Sequence, residues 1–279
     1  MYRRGRILIA VLALGALAGA AVSLHDTRPH RARAAPRPHA RRRISISAAV
    51  RRNARADALV VAGVLRHARA IRAGTSHRRE VALTFDDGPS RYSQRVVATL
   101  RRLHAAGTFF AIGLQLRRYP RAIAAELDAG FPVGDHTVNH RALRSVPGPA
   151  QRREIRGQAR RLRALGAPWP RLLRPPYGSY DRATLGIARS LGMAVILWSV
   201  DSEDYLRPGR KAIVHRVLSA VRPGAIILMH DGGGNRSQTI SALPGIVRGL
   251  RRRGYRLVTL PQLLRPRGIA VGRAWMLGR

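Results

Sequence analysis

Seven short apolar, β-branched or aromatic runs punctuate the chain: Val81–Phe85, Thr108–Ile112, Phe131–Val133, Leu172–Leu173, Ala194–Val200, Ala225–Met229 and Leu257–Leu260. Between them apolar residues recur three and four apart, as in Val96, Val97, Leu100 and Leu103 or Ile246, Val247 and Leu250. That spacing is one helical face. Strands alternating with helices predict a parallel sheet with helical crossovers, either open and doubly wound or closed into a barrel. A wholly apolar run such as Ala225–Met229 suits a sheet covered by helices. Upstream, residues 56–71 predict one amphipathic helix.

Polar residues fall where these runs end. Asp86 and Asp87 follow the first run, His136 and His140 the third, and Arg174 the fourth; Asp201 to Asp204 follow the fifth, and His230 and Asp231 the sixth. In a β/α barrel the C-terminal strand ends open onto one cleft, whatever the chemistry. Five motifs at five strand ends therefore predict a distorted (β/α)7-type barrel over residues 80–264, with a single site at one end.

Charge divides the chain further. Lys and Arg number 52 against 14 acids, a formal charge of +38, and Lys211 is the only lysine. Dispersed arginine on this scale reads as GC-rich codon usage rather than a built patch. Behind three arginines, Ile7–Leu24 is uncharged, so residues 1–24 read as a signal peptide or N-terminal membrane anchor. Residues 25–79 read as a basic Arg/Ala/Pro-rich linker, solvated and self-repelling at least over residues 28–43. Residues 265–279 form a C-terminal tail. The expected location is extracellular or cell-envelope, secreted or tethered. No cysteine is present, which excludes disulfide scaffolds, thiolate metal sites and cysteine nucleophiles.

Most of the acids of the folded region cluster at the strand ends, and each motif has a bland counterpart. Asp86-Asp87-Gly88-Pro89 offers two adjacent carboxylates, one for a cation and one for substrate, where an ordinary turn would read the same. His136 and His140 stand four apart, which one helical turn would bring to metal-binding separation. With Asp87 they make a three-ligand, open set suited to catalytic zinc, cobalt or ferrous iron. Arg174-Pro-Pro-Tyr-Gly178 is a rigid strand terminus. Trp198 to Tyr205 mixes aromatics with acids, as sugar sites do. His230 on an apolar strand end is a core histidine by default, and a general acid once carboxylates lie nearby.

These motifs together resemble the polysaccharide deacetylase family, the NodB-homology domain of carbohydrate esterase family 4. Thr84–Pro89 is similar to its first motif, His136–His140 to its second, Arg174–Gly178 to its third, Asp201–Tyr205 to its fourth and Leu228–His230 to its fifth. Gly107-Thr-Phe-Phe resembles the family's Ala-Thr-Phe-Phe strand with glycine replacing alanine. The resemblance implies that Asp86 is the general base, oriented by Arg174. It implies Asp87, His136 and His140 as ligands of one divalent ion, foremost zinc. His230 would be the general acid, tuned by Asp204. Tyr177 would lend its N–H to the oxyanion, Tyr205 would form an aromatic wall where the family has Trp, and Leu228 would line the acetyl pocket.

The expectation is a monomeric, metal-dependent hydrolase that removes N-acetyl groups from a peptidoglycan- or chitin-like polymer. Its partners would be that glycan and, through the basic linker, anionic envelope polymers or a membrane surface. Nucleic acid is the rival the charge suggests, but no nucleic-acid motif accompanies it. A non-catalytic glycan binder and an O-acetyl esterase are the other rivals.

Overall fold

The structure, a computed structural model, describes residues 43–66, 70–74 and 77–265. The apolar run Ile7–Leu24, residues 25–42 of the linker and the tail beyond Arg265 lie outside the described residues. Among those described, no helix is long and apolar enough to cross a membrane.

Eight strands form: β1 Glu80–Gly88, β2 Thr108–Ala111, β3 Val133–Asp135, β4 Leu172–Leu173, β5 Ala194–Val195, β6 Val200–Asp201, β7 Ile226–His230 and β8 Arg256–Leu257. Seven lie parallel in the order β5-β4-β3-β2-β1-β7-β6, and β8 pairs with the start of β1. The sheet curls into a half-barrel, consistent with the distorted (β/α)7 barrel expected. Its two edge strands, β5 and β6, are joined by only four residues. Beside that join Ile71 pairs with Ile196.

Alternation along β1 sorts the side chains. Val81, Leu83 and Phe85 pack outward among the residues of α2 (Ser93–Arg102), α6 (Arg210–Ala220) and α7 (Ser237–Arg252), including Val96, Leu100, Ile213, Val217 and Ile246. Ala82, Thr84 and Asp86 point the other way, into the barrel. Ala82 meets Phe110, Leu172, Ala194 and Ile226 at the barrel floor. Two helices close that floor: α1 (Ala48–Leu65) through Val60 and Val61, and α8 (Leu260–Leu263) through Leu260 and Leu263. Ser47 caps α1 by accepting from the Val50 N–H at 3.2 Å.

Several boundaries differ from expectation, each for a local reason. The helix expected over residues 56–71 runs from Ala48 to Leu65, so the stretch read as linker already contributes core. The strand expected at Phe131–Val133 begins at Val133. Phe131 is occupied in closing α3 (Pro120–Asp128), its N–H bonding the Glu126 carbonyl while Gly130 takes φ +75°. The run Ala194–Val200 divides into β5 and β6. The run Leu257–Leu260 ends β8 at Leu257 and begins α8 at Leu260, because the Thr259–Gln262 capping box starts that helix.

One helix between β3 and β4 matters later. α4 (Gly148–Leu165) buries Gln151, Glu154, Ile155, Gln158, Ala159 and Leu162. Its other face carries Arg152, Arg153, Arg156, Arg160, Arg161 and Arg163, all exposed. Like charges three and four apart weaken a helix by about 0.2–0.5 kcal/mol per pair. Inward packing of Ile155 and Leu162, both fully buried, outweighs that.

Candidate active site

The strand register builds the site. On the parallel ladder of β1 and β7, Asp86 pairs with His230 and Thr84 with Leu228. Ladder partners lie one strand spacing apart, about 4.8 Å. β3 lies beyond β2 on the other flank of β1, so the loop after it brings His136 and His140 to the opposite side of Asp86.

Asp87, His136 and His140 offer ligand atoms within 4.8 Å of one another. Nε2 of His140 is 3.1 Å and Nε2 of His136 is 3.5 Å from Asp87 Oδ1. The helical turn expected to join the histidines is absent. Residues 136–140 form an irregular loop in which Thr137 and His140 take φ +65° and +56°. Asp135 Oδ1 accepts from the Thr137 N–H, and Thr137 Oγ1 from the His140 N–H. Glu154 of α4 grips the loop from behind, accepting from Val138 N, Asn139 N and Asn139 Nδ2 at 3.1, 2.8 and 2.6 Å.

A cation fits this trio. His136 Nδ1 lies 2.7 Å from the Arg174 carbonyl oxygen. A carbonyl only accepts, so Nδ1 carries the proton and Nε2 turns its lone pair inward. It meets Asp87 Oδ1, which is buried without a hydrogen-bond donor. Converging acceptors with no donor are stable only around a proton or a metal ion.

Arg174 is fully buried above the barrel floor and serves both flanks. Its Nη1 donates to Asp86 Oδ1 and Thr84 Oγ1, each at 2.8 Å, and its Nη2 to the Leu197 carbonyl at 3.1 Å. Its guanidinium stacks 4.3 Å from the Phe110 ring centroid. Burial lowers its pKa and the Asp86 carboxylate opposes that. The backbone carbonyl of the same residue fixes His136.

Across the cleft His230 is held by Asp204. Its Nδ1 lies 2.7 Å from Asp204 Oδ1, while Asp204 Oδ2 accepts from the His230 N–H and from Thr239 Oγ1. Burial would depress the imidazole, but Asp204 raises it above the ordinary histidine value. Burial would likewise raise the Asp204 carboxyl, and its bonds to His230 and Thr239 hold it below.

Of the remaining residues singled out in the sequence, the two tyrosines line the rim and Leu228 lies inside it. Tyr177, at φ +58° and 72% exposed, sets its hydroxyl 3.1 Å from His140 Nδ1. Tyr205, 43% exposed, meets the His230 ring edge-on at 5.4 Å. Leu228 is buried, two residues below His230 on the same face of β7.

Sequence reasoning assigned no role to Thr84, Glu154, Thr239 or Asp231. Asp231 is fully buried behind Asp86 and Asp87, its carboxylate bonded to Ser93 Oγ and its N–H to the Asp86 carbonyl. Burial, with the Asp86 and Asp87 charges, pushes its pKa to about 7. Gly232 adjoins it because any Cβ there would strike the Asp87 carbonyl.

Comparison with known proteins agrees with this geometry. The polysaccharide deacetylase family profile matches residues 73–196. A peptidoglycan-N-acetylglucosamine deacetylase of Bacillus cereus is 36% identical over 193 residues, covering 68% of this chain and 90% of its own. A chitooligosaccharide deacetylase of Bradyrhizobium is 36% identical over 201 residues, covering 67% and 92%. A solved peptidoglycan N-acetylglucosamine deacetylase superposes with a TM-score of 0.68 at 30% identity, covering 72% of this chain and 95% of that one. A family 4 carbohydrate esterase pseudoenzyme from Bacillus anthracis also matches, with a TM-score of 0.65, 28% identity and coverage of 70% and 68%. On these grounds the chain belongs to the polysaccharide deacetylase family, hydrolases of the carbohydrate esterase 4 class that act on acetylated glycans.

Proposed function

We propose that the protein is an exported, metal-dependent deacetylase that removes N-acetyl groups from a peptidoglycan- or chitin-like polymer. One observation carries this reading. Asp86, paired to a buried arginine, stands between the Asp87–His136–His140 trio and the Asp204–His230 pair. A protein that only bound glycan would have no need of an oriented carboxylate, three converging acceptors and a carboxylate-backed imidazole in one cleft.

Asp87, His136 and His140 would hold a divalent ion, zinc foremost. Such an ion, when bound, lowers the pKa of water and polarises the acetyl carbonyl. The chain supplies the proton traffic. Asp86 takes a proton from the attacking water, and Arg174 keeps its carboxylate aimed. An amine leaves only when protonated, and His230, kept cationic by Asp204, donates that proton to the amide nitrogen. Tyr205 and Leu228 bound the space for the sugar and its acetyl group. The Tyr177 N–H is proposed as an oxyanion donor.

The test is acetate release from chitooligosaccharide, peptidoglycan and acetylated xylan by metal-loaded protein. Asp86→Asn should lose most turnover with metal retained, and His136→Ala should lose the metal as well. His230→Ala should lower turnover by about 10²–10⁴-fold. Near-normal amide cleavage by metal-loaded Asp86→Asn would remove Asp86 as base. Release from ester substrates alone would make the enzyme an O-acetyl esterase.

A further inference from the structure

We propose, on the metal-binding reading above, that Arg236 is a positioning residue for Asp87. By gripping the two glycines that follow Asp231, it fixes a slip in β1 that turns the Asp87 carboxylate toward His136 and His140.

Alternation along β1 would leave Asp87 on the wrong side. Val81, Leu83 and Phe85 face the helices, so an unbroken strand would send Asp87 the same way and leave only Asp86 in the cleft. The ladder between β1 and β2 slips at this point. Asp86 pairs with Phe110 and Gly88 with Ala111, the next residue, so Asp87 has no partner on β2. It takes φ +69°. An extra residue of this kind re-aims a side chain. Both carboxylates consequently reach one imidazole: His136 Nε2 lies 3.8 Å from Asp86 Oδ2 and 3.5 Å from Asp87 Oδ1.

The chain after β7 holds the slip in place. The Asp86 carbonyl accepts from the Asp231 and Gly232 N–H groups at 3.0 and 3.3 Å. Gly232 lies against the Asp87 carbonyl and Gly233 against Asp87 Oδ2, so a Cβ on either would overlap Asp87. Asp87 thus shows Oδ1 to the histidines and rests Oδ2 on Gly233. The Asp231 carboxylate presses on Gly88 in the same manner and is held by Ser93 Oγ.

Two glycines cannot resist movement by themselves, because glycine is the least constrained residue. Arg236 supplies the restraint. Its Nε donates to the Gly232 carbonyl, and its Nη2 donates to the Gly233 carbonyl at 3.0 Å. Its own carbonyl accepts from the Ile240 N–H at 3.0 Å in the first turn of α7. That helix is seated in the core through Ile240, Leu243 and Ile246. Arg236 is 4% exposed, and among the described residues it pairs with no carboxylate. Burying a guanidinium is costly without compensating bonds. Here those bonds go to the two carbonyls behind Asp87, so one side chain links a packed helix to that carboxylate.

The sign of the effect separates restraint from charge. Arg236→Gln removes a positive charge near the Asp87–His136–His140 trio, and electrostatics alone would then tighten the binding of a divalent cation. A lost restraint weakens it.

The experiment is zinc titration calorimetry on the chelator-stripped full chain, as wild type, R236Q, G233A and R248Q. Arg248 is exposed on α7, so R248Q loses the same charge away from the glycines. Zinc affinity should fall about tenfold in R236Q and at least as far in G233A. R248Q should stay within about twofold of wild type. Melting temperature is read alongside. A lower melting temperature in R236Q with zinc affinity unchanged or tighter would leave Arg236 a merely structural role and overturn the proposal, as would an equal loss in R248Q. Should R236Q not fold, G233A decides, and wild-type zinc affinity there overturns the cradle. Wild type that takes up no zinc overturns the metal reading and the cradle with it. Zinc uptake without acetate release from any glycan overturns the deacetylase reading alone, and the zinc affinities of the variants still decide the role of Arg236.

Discussion

At the scale of single residues, the site works by pairing each reactive group with one that fixes its charge. His230 and Asp204 show how this reads out in pH. The imidazole is raised by Asp204 and the carboxyl is lowered by its bonds to His230 and Thr239. Stabilisation from His230 is full below the free-histidine value of 6.5 and fades as pH rises through its higher folded value. Stabilisation from Asp204 is full above 3.8 and fades as pH falls through its lower folded value. Both are complete between those limits. The proposed acid, His230, must carry its proton to act, so on that proposal Asp204→Asn should move the alkaline limb of the kcat profile to lower pH. A profile of acetate release from chitooligosaccharide that left that limb in place would show that Asp204 does not set the acid. Little of this pairing beyond the motif residues was visible beforehand. Thr84 and Thr239 are ordinary strand and helix residues in sequence, and only the fold brings them to Arg174 and Asp204.

At the scale of elements, the strand runs and the polar residues at their ends were legible, because burial and alternation act locally. What failed was the joining geometry. Spacing of four suggested a helical turn for His136 and His140, whereas the loop is shaped by left-handed residues and by Glu154, 14 residues beyond His140. Nothing near the histidines announces that grip. Glu154→Ala would free two backbone N–H groups and the Asn139 amide at once. Metal affinity should fall about 10–100-fold, the usual cost of losing support behind a ligand. Titration calorimetry with zinc on the metal-free variant checks this, with unchanged secondary structure by circular dichroism showing that α4 persists. Likewise the helix expected over residues 56–71 was counted as part of a basic linker, yet it starts at Ala48, and Val60 and Val61 close the barrel floor.

At the scale of the whole molecule, acids and bases are segregated. Asp128 is the sole exposed carboxylate residue among those described, while the others are buried or half-buried, many in the catalytic cleft. Among the described residues the charged groups of the outer surface are thus mostly cationic, in a chain whose formal charge is +38. For a protein proposed to act outside the cell, this predicts retention on anionic envelope material. Exposed charges are screened over about 10 Å at 0.1 M salt, so native protein should elute from isolated cell walls as salt rises toward 1 M. Retention unchanged across that range would point to a non-ionic contact, and recovery solely from the cytosol would refute export.

The left-handed residues also have a meaning for how such an enzyme could be hardened. Asp87, Thr137, His140 and Tyr177 gather around the cleft, whereas His104, at φ +48°, lies in the turn between the end of α2 and the start of β2. Each non-glycine residue in that region costs about 1–2 kcal/mol. At the cleft the cost is tied to the positions of the proposed metal ligands and cannot be relieved without moving them. At His104 it is tied to a turn, whose carbonyl accepts from Arg251 Nη2 and would do so with glycine in place as well. His104→Gly should therefore raise the unfolding free energy by about 0.5–1 kcal/mol with turnover untouched. A thermostability search would find its gains at such idle turns, while the cleft stays a protected reserve of backbone tension that selection for robustness cannot spend.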